Sequence, residues 1–245
     1  MIIRYKAIVA YNGKNYHGWA RQTNSLTIQE LIEKAIFKSF KQEVKIFGAG
    51  RTDAGVNASG QVFHFDMQYF KISNFNFITA INYFLPDDIK ILKLAKVNKN
   101  FNARFSAKSK VYKYTINTGQ VNPITSSFVY QYNKKLIVKK IKECCLLFIG
   151  KKNFLSFSTD ARNCCSFIRE VSKIWIQSND SLVTIYIKGN GFLKNQVRMM
   201  VATIIRYCEG KISQQMIKSL LANPKKGSAT YIAPACGLTL LKVIY

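Results

Sequence analysis

The sequence predicts an α+β fold of two split-βαβ halves with antiparallel-rich sheets. Hydrophobic residues alternate at period two in several short runs and recur at helical spacing in others, and the two patterns follow one another in the order β-α-β-β-α-β in each half of the 245 residues. Helices covering one face of such a sheet leave the opposite face for a ligand or for the other half. No long linker stands near residues 98–108, so the domains are read as 1–103 and 104–245, packed rigidly with a cleft at their junction.

The first strand spans 3–11, with Tyr5, Ala7 and Val9 on one face and Arg4 and Lys6 on the other. A helix follows from Thr27, whose hydroxyl and Glu30 form a capping box, with Ile28, Leu31, Ile32, Ala35 and Ile36 as the apolar stripe. Strands at 44–47 and 61–65 flank a glycine-rich loop, a helix runs over 74–84 ahead of Pro86, and a strand covers 89–97. In the second half a strand at 110–117 leads to a helix over 138–149 closed by Gly150, then to strands at 169–177 and 182–188. A longer helix at 192–209 buries Val197, Met200, Val201, Ile204 and Ile205 and stops at Gly210. Ser213 caps a short helix to 222, and a strand at 238–244 ends the chain.

Composition points to an anionic partner, since 37 Lys and Arg stand against 12 Asp and Glu for a formal charge of +25. Nucleic acid is the first reading, with an affinity that falls steeply as salt rises. The chain is rich in Lys, Ile and Asn throughout, so much of this charge is background, and the sparing arginines carry more information. Hydrophobic residues make up 48% of the chain, enough for a substantial core. Arg4 and Lys6 interrupt the apolar start, and no apolar run approaches membrane-spanning length, so a cytoplasmic location is expected. The six cysteines fall as Cys144-Cys145, Cys164-Cys165, Cys208 and Cys236, with no C-x-x-C spacing and only two histidines in the chain. Buried reduced thiols fit this pattern better than a structural metal site.

Residues 48–56 are the densest chemical signal, for they place Arg51 and Asp53 among Gly48, Gly50 and Gly55. Glycines so spaced let the backbone approach a bulky ligand and adopt positive φ, while the loop offers a cation and a carboxylate together. Taken alone, the same residues also suit a tight turn with a solvated ion pair.

Ordered blocks extend this signal along the chain. They are Tyr16-His17-Gly18-Trp19 with Arg21-Gln22, Gly50-Arg51-Thr52-Asp53-Ala54-Gly55-Val56, Gly60-Gln61-Val62 with His64-Phe65, and Arg104-Phe105-Ser106-Ala107. Lys110 with Tyr112 and Tyr114, Phe192-Leu193 with Asn195, Val197-Arg198, Ala233-Pro234-Ala235 and Gly237-Leu238 follow. In these blocks the chain resembles the TruA type of tRNA pseudouridine synthase over nearly its whole length.

The resemblance implies two ferredoxin- or RRM-like halves around a central active-site cleft. It also implies isomerisation of uridine to pseudouridine in the anticodon stem-loop of tRNA at positions 38–40, without cofactor or metal, by a homodimer that grips one tRNA across both subunits. Asp53 is then the essential carboxylate, either attacking covalently or removing a sugar proton. One acid suffices, because uracil leaves as a delocalised anion and is recaptured, whereas a glycoside hydrolase ordinarily needs two carboxylates. Burial disfavours a charged carboxylate, so a permanent cation is required beside Asp53, and Arg198 matches the family arginine in that role. Tyr112 matches the family tyrosine that stacks on the target uracil. Arg51 is suited to brace the space left when the base is drawn from its stem. The segment Phe101, Asn102, Ala103, Arg104 and Phe105, with Lys108 and Lys110, corresponds to an RNA-contacting stretch that binds phosphates and sets register. His64, in an alternating strand, reads as a hydrogen-bonded structural residue, and His17 as packing under the active-site loop.

Four positions depart from the family pattern: Ala20 for a glutamine, Asn57 for a histidine, Gln196 for a methionine, and Cys165 near a usual arginine. They bear on substrate breadth and RNA affinity rather than on the reaction. The rival readings are a non-catalytic RNA-binding or RNA-folding protein on the same scaffold and a basic component of a ribonucleoprotein particle. Asp53 argues against both, since a buried carboxylate facing a polyanion is costly without a task.

Overall fold

The structure is a computed structural model describing residues 1–160 and 166–245. It has a mixed α+β fold whose chain divides into two compact units, Met1–Lys108 with Leu240–Tyr245, and Ser109–Thr239.

The first unit runs β1 (Ile2–Tyr11), α1 (Ile28–Phe40), β2 (Phe47–Gly48), β3 (Asn57–Gln68), α2 (Asn74–Phe84) and β4 (Ile89–Val97). β1 lies between β4 and β3, antiparallel to both, with Tyr5 opposite Phe65. The alternation in β1 decides its faces, for Tyr5, Ala7, Val9 and Tyr11 are buried while Arg4, Lys6 and Ile8 are half-buried. Tyr5 packs its ring 5.3 Å from Phe77 of α2, and Phe77 lies 4.3 Å from Phe40 of α1, so three aromatics lock both helices to the sheet. Asn82 of α2 bonds the N–H and C=O of Ile91 in β4.

Two local readings differ from the structure here. Thr27 precedes α1 but makes no capping bond, Glu30 pairs instead with Lys34, and the fully buried Thr27 Oγ1 has no hydrogen-bond partner among the described residues. A buried hydroxyl without a partner costs free energy that an apolar isostere does not. Thr27→Val is therefore expected to raise stability by about 1 kcal/mol, a Tm increase of about 2–4 °C in thermal unfolding; a lower Tm would refute it. The strand read over 44–47 shrinks to Phe47–Gly48, because Glu33 Oε1 accepts the Ile46 N–H and Gln29 donates to Ile46 C=O. Side chains of α1 thus take the groups that a ladder would have used.

The second unit contains β5 (Ser109–Asn117), β6 (Tyr130–Gln131), α3 (Val138–Leu146), β7 (Gly150–Asn153), β8 (Ile168–Asn179), β9 (Leu182–Gly189), α4 (Gln196–Cys208) and α5 (Gln214–Ala222). Its sheet runs β5-β9-β8-β7 with antiparallel neighbours, and β6 adds a parallel pair to β5. A last strand, β10 (Leu238–Ile244), carries residues 240–244 into the first unit beside β3. The core is built on α4, where Val197, Met199, Met200, Val201, Ile204 and Ile205 are buried.

That helix starts four residues later than its apolar pattern implies. Asn195 adopts a left-handed conformation at φ 61°, and Gln196 folds its side chain back to accept the Leu193 N–H, so residues 192–195 form a non-helical turn ahead of α4. Its end conforms to pattern: Gly210 at φ 73° lets its own N–H reach Tyr207 C=O and Lys211 N–H reach Arg206 C=O. The short β6 and β7 carry no pattern of their own, and α3 closes at Leu146, short of Gly150.

Cys144 and Cys145 are buried thiols, and burial pushes Cys145 up to about 12 and the half-buried Cys208 to about 11, so neither is a thiolate at neutral pH. Cys164 and Cys165 lie outside the described residues. Among the described residues no helix is long and apolar enough to cross a membrane, and no group of three or more His, Cys, Asp or Glu could hold a metal ion.

Candidate active site

The glycine-framed loop, residues 49–56, connects β2 to β3 in the first unit. Its ends are pinned by main-chain bonds: Ala49 N–H donates to Val62 C=O at 2.7 Å and Val56 N–H to Asp53 C=O at 3.2 Å. A second strip of chain, 13–19, lies against it. Trp19 N–H donates to Thr52 C=O at 3.1 Å, and Gly55 N–H donates to Tyr16 C=O at 3.2 Å. This approach needs glycine at position 18, where φ is +91° and a Cβ would stand 2.5 Å from Thr52 O.

Side chains complete the support. Gln61 donates to Gly50 C=O at 2.8 Å, and the Tyr11 and Thr52 hydroxyls share a 2.9 Å hydrogen bond. The departure at Asn57 has a structural task, since this buried side chain accepts the Gly13 N–H at 2.8 Å. Trp19 is buried beneath the loop against Tyr11. His17 is exposed instead, its main chain bonded to Leu26 and Gln22, which corrects the reading that packed it under the loop. Above this support Asp53 is half-buried and Arg51 exposed.

The segment after β4 is also anchored in the first unit. Ala103 is fully buried and donates its N–H to His64 Nδ1 at 3.1 Å, while Tyr245 donates its hydroxyl to Ala103 C=O. Phe101 packs edge-on to His64, and Asn102 Oδ1 accepts the N–H groups of Arg104 and Phe105 in a tight turn. This turn turns Arg104, with its guanidinium 5.5 Å from the Phe105 ring, and the 80% exposed Phe105 toward solvent together with Lys108.

His64 is thus a structural hydrogen-bond acceptor. Burial first, then the Arg4 guanidinium, holds its imidazole below the ordinary 6.5, while Asp66 and the Phe47 main chain oppose them. The folded value lies under the unfolded one, so the unfolded chain binds the proton more tightly. Stability is expected to be complete above about pH 6.5 and to be lost as pH falls below it. Denaturant midpoints between pH 7.5 and 5 for the wild type and His64→Gln should show this slope reduced in the variant; equal slopes would exclude His64 as the cause.

In the second unit Tyr112, on β5, is 8% exposed with its ring edge-on to Phe192 at 5.2 Å. Lys110 is half-buried on the same strand. Arg198 lies in the first turn of α4, where Nε donates to Ala233 C=O at 2.7 Å and Nη1 to Asn195 Oδ1 at 3.0 Å. Asn195 in turn donates to Thr159 Oγ1 at 2.9 Å. The guanidinium is thereby held by two segments far apart in sequence. Gln196 is buried and braces the turn before α4, and Ala20 is half-buried in the first unit. Motif reading passed over Tyr11 and quoted Gln61 without giving it a role, yet both support the loop without lying in it. Their signal, a polar side chain buried on a strand, is one that sequence does not separate from ordinary core.

Comparison with known proteins bears on this geometry. A family profile described as tRNA pseudouridine synthase matches residues 7–106 and 144–245. A protein of Mycoplasma genitalium named tRNA pseudouridine synthase A is 42% identical over 243 residues, covering 99% of this chain and 98% of its own length. Proteins of the same name from Malacoplasma penetrans and Clostridium kluyveri are 40% and 36% identical, covering 98% of this chain in each case and 99% and 98% of their own.

Proposed function

The chain belongs to the tRNA pseudouridine synthase A family and isomerises uridine to pseudouridine in tRNA, and on that premise we propose that Asp53 is the carboxylate that carries the reaction. The observation behind this assignment is the half-buried Asp53 on a loop held by main-chain bonds, buried polar side chains and a close glycine contact. Such pre-organisation suits a group that must meet the ribose in one orientation, whether it attacks the sugar or removes its proton.

Isomerisation breaks the N1–C1′ bond, whose electron pair leaves with uracil, turns the freed base, joins C5 to C1′, and releases the C5 proton to water while N1 takes one up. Tyr112 stacks on the base and so limits its escape to water. Arg198 supplies the cation that keeps Asp53 ionised. Arg51 braces the stem vacated by the extruded uridine. Arg104, Phe105, Lys108 and Lys110 contact phosphate, on a turn held by Phe101, Asn102 and Ala103. In this reading residues 1–103 supply the catalytic loop and 104–245 supply Tyr112 and Arg198, each half being a ferredoxin- or RRM-like module.

The target is a uridine of the anticodon stem-loop, at positions 38–40, and the working unit in the cytoplasm is a homodimer. Sedimentation as a monomer at assay concentration would remove the dimer. The reading as a whole is tested by incubating the protein with unmodified tRNA tritiated at uridine C5. Tritium release, with pseudouridine mapped by nucleoside mass spectrometry to the anticodon stem-loop, is the expected result; binding without release would leave an RNA-binding protein.

A further inference from the structure

Beneath the catalytic loop lies a buried polar contact that the reaction scheme does not use. The hydroxyls of Tyr11, at the end of β1, and Thr52, the residue before Asp53, share a 2.9 Å hydrogen bond. Tyr11 is 4% exposed and Thr52 6%, so water does not replace the contact if it is lost. Gln61, fully buried on β3, donates to Gly50 C=O at 2.8 Å. One side chain from each of two adjacent strands therefore grips the loop at two points, one and three residues before Asp53.

The main chain leaves work for this grip. Between the pins at Ala49 and Val56, Trp19 N–H holds Thr52 C=O and Gly55 N–H reaches Tyr16 C=O, and both contacts lead to another irregular strip of chain. The side-chain bonds tie the loop to the sheet itself. We propose that Tyr11, Thr52 and Gln61 act as one positioning unit that orients Asp53 for carbon–nitrogen cleavage. This rests on Asp53 being the reacting carboxylate; the three residues touch no substrate themselves. A displacement of about 1 Å in a reacting group costs about 10²-fold in rate, and that is the range in which loss of the grip should register.

A folding role would also disturb these residues, and the variants are chosen to separate the two. Tyr11→Phe keeps the ring against Trp19 but leaves the Thr52 hydroxyl buried without this partner; Thr52→Val removes that hydroxyl at constant shape; the double variant removes both. We expect kcat on tRNA to fall about 10- to 100-fold in either single variant, with KM changed by less than about twofold, and Thr52→Ser to stay near wild type. Tm should drop in Tyr11→Phe and recover in the double variant, while kcat stays low. Full activity of Tyr11→Phe, or kcat recovering together with Tm in the double variant, would overturn the proposal. Asp53→Asn run alongside keeps the premise separate: if it retains activity the premise fails whatever Tyr11 does, and if it is inactive while Tyr11→Phe is unimpaired only the positioning unit falls.

Discussion

Asp53→Asn is expected to abolish pseudouridine formation, with turnover down about 10⁴-fold or more and tRNA affinity equal to or above that of the wild type. Asparagine keeps the shape of aspartate but is neither a nucleophile nor a base at neutral pH. The loop should survive the change, because the contacts that define it run through the main chain of Asp53, Thr52 and Gly55 and the side chains of Tyr11 and Gln61. Affinity is the informative half of the experiment. Removing one carboxylate from a surface that meets a polyanion takes away a repulsion, so binding should not weaken. Tritium release at C5 reads turnover and filter binding reads affinity. Turnover within tenfold of wild type would show that another group does the chemistry.

Much of the fold is legible in the residues, and the failures share a cause. α2 and β4 stand where pattern puts them because their signals are local: Ser73 accepts the Asn76 N–H at the start of α2, and Pro86 keeps Leu85 extended at its end. Gly210 likewise ends α4 by its own conformation. The misses are places where a distant side chain captures a backbone group. Glu33 and Gln29 draw the 44–46 segment away from β2, and nothing in that segment announces it. Phe192 and Leu193 continue the helical period of α4, yet the Gln196 side chain satisfies the Leu193 N–H and ends the helix there. The same limit governs the candidate site. Glycines around Asp53 advertise an unusual loop, whereas Tyr11, 41 residues from Thr52, reads only as the last apolar position of an alternating strand.

Arg198→Ala is expected to lower kcat about 10²- to 10³-fold and to leave tRNA affinity within about threefold. Two anchors already direct this guanidinium, the Ala233 carbonyl and Asn195 Oδ1, so its orientation is prepaid by the fold and not chosen by flexible RNA contacts. Lysine carries the charge without the planar fork that engages both anchors, so Arg198→Lys should recover only part of the loss. Affinity should hardly move, because one cation among 37 Lys and Arg contributes little to counterion release, about one unit at most in the slope of log K against log salt. The decisive comparison uses both sites. If Arg198 acts by keeping Asp53 ionised, then Arg198→Ala added to Asp53→Asn should cost almost nothing more, since the carboxylate it serves is gone. Additive losses, or an affinity drop with kcat intact, would instead make Arg198 a phosphate contact.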